Sequence, residues 1–127
     1  MATVLVVDRD FITRTNLADL LMAGGYDVRA VAGRAAGIDC LGSISPSAVL
    51  LSLQSDRSSA RNLCIAIRQF VPAAPVIVFG PDIDVRTKVT LFDMGADEYM
   101  VRPFDSLEML ARVRAVIRRS QWVCGSS

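Results

Sequence analysis

Three stretches constrain this chain more than anything else in it: Val4-Leu5-Val6-Val7, Ala48-Val49-Leu50-Leu51 and Val76-Ile77-Val78-Phe79. None contains a polar residue and none alternates. That is the pattern of strands covered on both faces, as in a parallel sheet flanked by helices. Helical periodicity fills the gaps between them. Leu17, Leu20 and Leu21 share a helix face, and Gly24-Gly25 closes that helix. Residues 26–31 alternate and predict a second, less buried strand. A short helix is predicted over 35–41, a loop over 43–47 and the third strand over 48–53. Leu63, Ile67 and Phe70 lie on one face of a helix over 58–70. The fourth strand, 75–79, ends at Gly80-Pro81. Asp82 is placed to cap a helix running to Met94, with Gly95 as its left-handed stop. Residues 98–101 predict a fifth strand. Asp105 and Glu108 then form a capping box for a last helix ending near Ser120. Strand and helix alternate throughout, so the expected class is α/β with a parallel sheet between two helical layers. Residues 1–120 make one domain, and 121–127 a tail or the start of a linker.

Composition narrows the function. The chain has 127 residues, 52% of them hydrophobic, enough for one domain with a real core. Lys plus Arg is 14 and Asp plus Glu is 13, which gives no electrostatic reason to expect nucleic acid or an anionic membrane as a direct partner. No apolar run is long enough to span a bilayer, and Asp8, Arg9 and Asp10 interrupt any signal-peptide layout, so a cytoplasmic location is expected. Cys40, Cys64 and Cys124 have no metal-like spacing and read as buried or incidental thiols. There is no histidine, which excludes a Ser-His-Asp triad, a Cys-His pair and histidine zinc ligands. No nucleophile–base pair can be assembled, so an enzyme is not expected.

In sheets of this kind function gathers beyond the carboxyl ends of the strands. The residues delivered there are Asp8, Arg9 and Asp10, then Ser52 and Gln54, then Gly80 and Pro81, then Arg102 and Pro103. The layout, with "VLVVDRD", "GYDVRAV" and above all "GADEYMVRPFDSLEMLARVRAVIRR" over 95–119, resembles the CheY-like receiver domain of response regulators. The last segment looks like that of the winged-helix, OmpR/PhoB-like class. The resemblance covers about residues 2–119. It implies a doubly wound, flavodoxin-like (βα)5 sandwich with strand order 2-1-3-4-5. It also implies a phosphoryl-accepting aspartate after the third strand, an acidic pair for magnesium after the first, a hydroxyl after the fourth and a lysine after the fifth. At those positions this sequence has Ser52, Asp8 followed by Arg9, Gly80 and Arg102. Tyr99 matches the family's switch aromatic, and Pro103 a proline whose preceding peptide bond is often cis.

The chemistry of those residue types leads to the same place. Magnesium takes several oxygen ligands, usually carboxylates. Arg9 puts a cation where one ligand would stand, and Ser52 removes another. Magnesium binding is therefore expected to be lost or weak, and no cofactor is expected. A guanidinium beside Asp8 or Asp10 can neutralise them instead. A serine hydroxyl is a weak nucleophile without a base. The expectation is a degenerate receiver, a pseudo-receiver, that signals through protein contacts without aspartyl phosphorylation. Two alternatives stand beside it. A small anionic ligand held by Arg9 and Arg102 would make the old pocket a ligand site. A shifted phosphoacceptor would use Asp8, Asp10 or Asp56.

The fourth helix, fifth strand and fifth helix carry the other candidate surface. Val85, Val89 and Phe92 follow i, i+4, i+7 spacing. By the resemblance, Lys88, Asp97, Glu98, Glu108 and Arg112 fall where charged pairs flank a two-fold dimer. Lys88 with Glu108 and Glu98 with Arg112 supply opposite charges for a self-complementary surface. A homodimer is expected there, with a protein partner or a fused DNA-binding domain outside this chain.

Overall fold

The computed structural model describes residues 2–53 and 57–125. Its elements are β1 (Thr3–Val7), α1 (Phe11–Ala23), β2 (Asp27–Val31), α2 (Arg34–Leu41), β3 (Ala48–Ser52), α3 (Arg57–Phe70), β4 (Val76–Gly80), α4 (Val85–Asp93), β5 (Glu98–Val101) and α5 (Ser106–Gly125). All neighbouring strands run parallel, in the order β2-β1-β3-β4-β5.

Period-two alternation explains why the strands lack polar residues. Leu5, Val7, Val49, Leu51, Val76 and Val78 face one side of the sheet and pack with Cys40 and Leu41 of α2, Leu63 and Ile67 of α3 and Leu91 of α4. Val4, Val6, Ala48, Leu50, Ile77, Phe79 and Met100 face the other, against Leu17 and Leu21 of α1 and Met109, Val113 and Ile117 of α5. Both faces are core, so no strand position between them tolerates a polar side chain. Burial pushes the Cys64 thiol up to about 11, so it stays protonated and packs as a small apolar group.

Several boundaries differ from the sequence reading. Helix α4 begins at Val85, capped by Asp84 rather than Asp82: the Thr87 amide donates to Asp84 Oδ1 at 2.8 Å. The chain delays entry because Ile83 is drawn onto the α2–α3–α4 side of the core. Helix α5 continues past Ser120 to Gly125, which removes the expected irregular tail over 121–125. No glycine or proline interrupts residues 121–124, so the ladder has nothing to stop it. Half of the capping box forms. Asp105 Oδ1 accepts from the amides of Leu107 and Glu108, while the Glu108 carboxylate pairs with Arg112. Among the described residues no helix is long and apolar enough to cross a membrane.

The amino ends of β4 and β5 are fixed by Arg68, in the last turn of α3. Its guanidinium donates to the carbonyls of Pro72, Ala74 and Gly95 and pairs with Asp97 at 3.3 Å. Asp97 Oδ2 in turn accepts the Val76 amide at 2.7 Å. Gly95 is required at this junction on two counts. Its φ is +116°, and a Cβ there would lie 2.7 Å from Arg68 Nε. Gly95→Ala is expected to cost about 1–3 kcal/mol, read as a lower urea midpoint. An unchanged midpoint would contradict this account of the junction.

Candidate functional site

β1 and β3 pair with Val7 beside Leu51, so the next residues, Asp8 and Ser52, emerge side by side at the topological switch of the sheet. Both are buried polar groups, 1% and 3% exposed. The β1–α1 turn wraps Asp8: its Oδ1 accepts the Asp10 amide at 2.9 Å, and its carbonyl accepts from Arg14 Nη1 at 2.7 Å. Asp10 caps α1, with Oδ2 accepting the Thr13 amide at 2.9 Å. The Thr13 hydroxyl first, then its amide, hold the Asp10 carboxyl below the usual carboxylate value, with Arg102 and Arg14 adding to the effect. A carboxyl lowered in the folded chain stabilises above its unfolded value and loses that contribution only as pH falls through the folded value. This cap therefore holds throughout the neutral range.

The cation at Asp8 is Arg102, not Arg9. Arg102 follows β5, where its amide donates to Gly80 O at 2.7 Å. From there the side chain crosses the end of β4 to reach β3, two strands or roughly 10 Å away. Nη2 donates to Ser52 Oγ at 2.8 Å and lies 3.7 Å from Asp8 Oδ2. The guanidinium carbon sits 5.2 Å from the centre of the Phe79 ring, which itself meets Phe104 edge-on. Among the described residues, Arg102 Nε is buried without a hydrogen-bond partner. The guanidinium thus sits over an aromatic ring while its Nη2 reaches the strand ends.

Arg9 is exposed and forms no ion pair among the described residues. It borders a cavity of only about 20 Å³ with Gly33, Arg34 and Ser52, on the α2 side. Arg102 borders a different cleft, of about 330 Å³, with Thr13, Asn16 and Phe104 between α1 and α5. Gln54 and Asp56 lie outside the described residues. Gly80 ends β4, and Tyr99 reaches past it to donate its hydroxyl to Pro81 O. The Arg102–Pro103 peptide bond is cis. No group of three His, Cys, Asp or Glu among the described residues is placed to share a metal ion.

On the second surface, Val85, Val89 and Phe92 are 74%, 50% and 44% exposed along α4. Val101 of β5 and Leu107 of α5 are exposed as well. The charges here have partners within the chain. Arg112 pairs with Glu98 at 3.1 Å and with Glu108 at 3.2 Å, and Arg119 approaches Glu98 at 3.7 Å. The Glu108 hydrogen bonds, with the charge of Glu98, raise the Arg112 pKa above its ordinary value. Lys88 has no ion pair among the described residues. Asp97 is tied to Arg68 and the Val76 amide at the amino end of the sheet. Sequence reasoning missed the roles of Arg14, Arg68 and Phe79. For Phe79 a signal existed, since its parity on β4 puts its ring on the face that Arg102 crosses.

The profile of the response regulator receiver domain matches residues 4–114. The chain is 33% identical over 117 residues to the response regulator MprA of Mycolicibacterium vanbaalenii, covering 92% of this chain and 51% of that protein. It is 32% identical over 118 residues to MprA of Mycobacterium avium, covering 93% and 52%. It therefore spans about half the length of the curated relatives it matches. Among solved structures, a putative response regulator from Chloroflexus aurantiacus superposes with a TM-score of 0.83 at 25% identity, covering 92% of this chain and 98% of that one. A CheY-like receiver domain protein from Methanospirillum hungatei gives 0.88 at 17% identity, covering 95% and 97%, a likeness of fold. With its strand order, the position of its carboxyl-end site and a profile match over nearly its whole length, this chain belongs to the response regulator receiver domain family.

Proposed function

We propose that this receiver domain acts as a phosphorylation-independent interaction and dimerisation module, a pseudo-receiver of the OmpR/PhoB-like class. The observation that carries the reading is the hydrogen bond from Arg102 Nη2 to Ser52 Oγ, 2.8 Å long, with Asp8 Oδ2 at 3.7 Å. Arg102 stands at the position where the resemblance implies a lysine, and its guanidinium is already engaged by Ser52 and Asp8. The hydroxyl it holds is a weak nucleophile, and the chain contains no histidine to act as its base. The donor set does not fit magnesium. Asp8 Oδ1 takes the Asp10 amide, Oδ2 faces a permanent cation, and Asp10 is engaged as a helix cap. Among the described residues of the site no nucleophile is paired with a base, which is in keeping with a module that is not an enzyme. The domain is expected to work in the cytoplasm, passing its signal to a protein partner or to an output domain outside this chain. The greater length of its MprA relatives is in keeping with the second.

The two competing readings have less support. Arg9 and Arg102 border different cavities, which argues against their gripping one ligand. Asp8 is 1% exposed and Asp10 is a cap, which argues against either as an acceptor. The dimer rests on the α4–β5–α5 face. Val85, Val89 and Phe92 supply its apolar centre, and Lys88 is available to meet Glu108 of a second copy across a two-fold axis. Exposed ion pairs contribute about 0–1 kcal/mol each, so the apolar centre must supply most of the affinity.

Incubation with acetyl phosphate and magnesium, or with beryllofluoride, is expected to leave the intact mass and the near-ultraviolet spectrum unchanged. A stoichiometric phosphoryl adduct would overturn the reading. Arg102→Ala removes the donor to Ser52 and the guanidinium facing Asp8, and should lower stability by about 1–3 kcal/mol in urea titration. In sedimentation, Val89→Asp should weaken self-association by about tenfold or more. Lys88→Glu should weaken it a few-fold, and the added change Glu108→Lys should partly restore it. A chain that is monomeric at every concentration would remove the dimer.

A further inference from the structure

The cleft that Arg102 borders lies between α1 and the corner where β5 turns into α5, on the opposite side of the sheet from α4. Its volume of about 330 Å³ is at the lower end of the range of small-molecule sites. Leu17, which is buried, and Leu20 and Phe104, which are half-buried, give it apolar walls. Thr13, Asn16 and Ser106 add polar groups to Arg102, and no acidic side chain lines it. The larger cleft at the amino end of β4 differs on this point. It is lined by Asp97, and its Arg68 is already engaged by that carboxylate and by three carbonyls.

Donors remain unused around this cleft. Among the described residues Arg102 donates a hydrogen bond only through Nη2, to Ser52, and its Nε is buried without a partner. Its side chain is 34% exposed. Asn16 is exposed on α1 and makes no side-chain hydrogen bond among the described residues. A group that answers these donors is an anion with a single charge. One guanidinium that already faces Asp8 at 3.7 Å can offset one further negative charge, but not the two of a phosphate. A carboxylate accepts charge-assisted bonds from a guanidinium and can accept from a carboxamide as well. The leucine and phenylalanine walls call for an apolar body behind it. We propose that this cleft binds a small monocarboxylate with an apolar body, its head on Arg102 and Asn16 and its tail against Leu17, Leu20 and Phe104. Arg9 takes no part. Because Arg102 also ties β5 to Ser52 of β3, an occupant of the cleft braces that contact. This goes beyond the proposed function by giving the domain a chemical input, and it needs no second copy.

The test titrates the whole chain with octanoate at constant ionic strength and follows backbone amides and arginine Nε–H groups by heteronuclear NMR. Octanoate is expected to bind saturably. It should shift the amides of residues 13–20 and 102–107 together with the Arg102 Nε–H, which Arg102→Gln assigns. Butyrate, with its shorter tail, should bind about tenfold or more weakly. Neutral octanol should also bind about tenfold more weakly than octanoate. Arg102→Gln should erase the preference for octanoate over octanol. Asn16→Asp changes an exposed side chain that supports nothing else in the fold. It should weaken octanoate several-fold and leave octanol unchanged. Octanoate that fails to saturate, or shifts that gather on the α4 ridge instead of the cleft, would overturn the site. So would equal affinity for octanoate and octanol, since apolar contact alone would then account for binding. Should Arg102→Gln fail to fold, Asn16→Asp decides, and an unchanged octanoate affinity there would remove the proposal. None of these outcomes bears on acetyl phosphate or on self-association, so the site and the proposed function can fail separately.

Discussion

A carboxylate buried at the end of β1 has to be compensated, because an ionised group removed from water costs several kcal/mol unless charge and hydrogen bonds meet it. Asp8 is 1% exposed, and the structure answers with an amide on one oxygen and the Arg102 guanidinium near the other. Among the described residues the Asp8 side chain faces one guanidinium, that of Arg102. Ser52 completes the cluster as an acceptor without adding charge. A carboxylate at position 52 would set two negative groups against one positive group and call for a further cation. On the proposed reading, the serine lets the charges at the strand ends balance without a metal ion. Arginine suits the other half of the arrangement better than lysine would. It spans two strands, sits over the Phe79 ring and still presents a directed donor to Ser52.

The opposite end of the same strand pair uses the same chemistry for a different purpose. Arg68 gathers the carbonyls of Pro72, Ala74 and Gly95 together with the Asp97 carboxylate, and so sets where β4 and β5 begin. Arg102 and Tyr99 act where those strands end, tying β5 to β3 and to the β4–α4 loop. The two strands and the helix between them are held at both ends by side chains from outside the regular ladder. β5 is one of the two edge strands of the sheet, paired on one side only, and these side chains tie it in.

Much of this was legible in the residues, and the parts that were not share a cause. β1, β3 and β4 could be read because both faces of each are core, which forbids polar residues. The Asp105 cap could be read because capping is local. The start of α4 could not: Asp82 and Asp84 are both competent caps, and the burial of Ile83 decided between them. The identity of the cation at Asp8 was ambiguous for a similar reason. Arg9 is adjacent in sequence and Arg102 is far away, but the chain carries Arg9 outward and the sheet order brings Arg102 across. Arg68 binds partners as far as 29 positions along the chain, and no periodicity encodes such a contact.

The α4–β5–α5 face shows how internal pairing prepares a surface. Arg112 bonds Glu98 and Glu108 within the chain, so those side chains are already ordered and lose little further rotamer freedom when a partner arrives. The same pairing lowers what each charge has left to offer a second chain. Lys88, half-buried, has no ion pair among the described residues, and Val85, Val89 and Phe92 keep apolar area in solvent. On the proposed reading, a partner for this face would be chosen mainly by shape against the apolar ridge, with Lys88 setting orientation. If α4 shifted, the ridge would move relative to the fixed charges of β5 and α5 and that shape would be lost. The entrance to α4 is held where the Tyr99 hydroxyl donates to the Pro81 carbonyl.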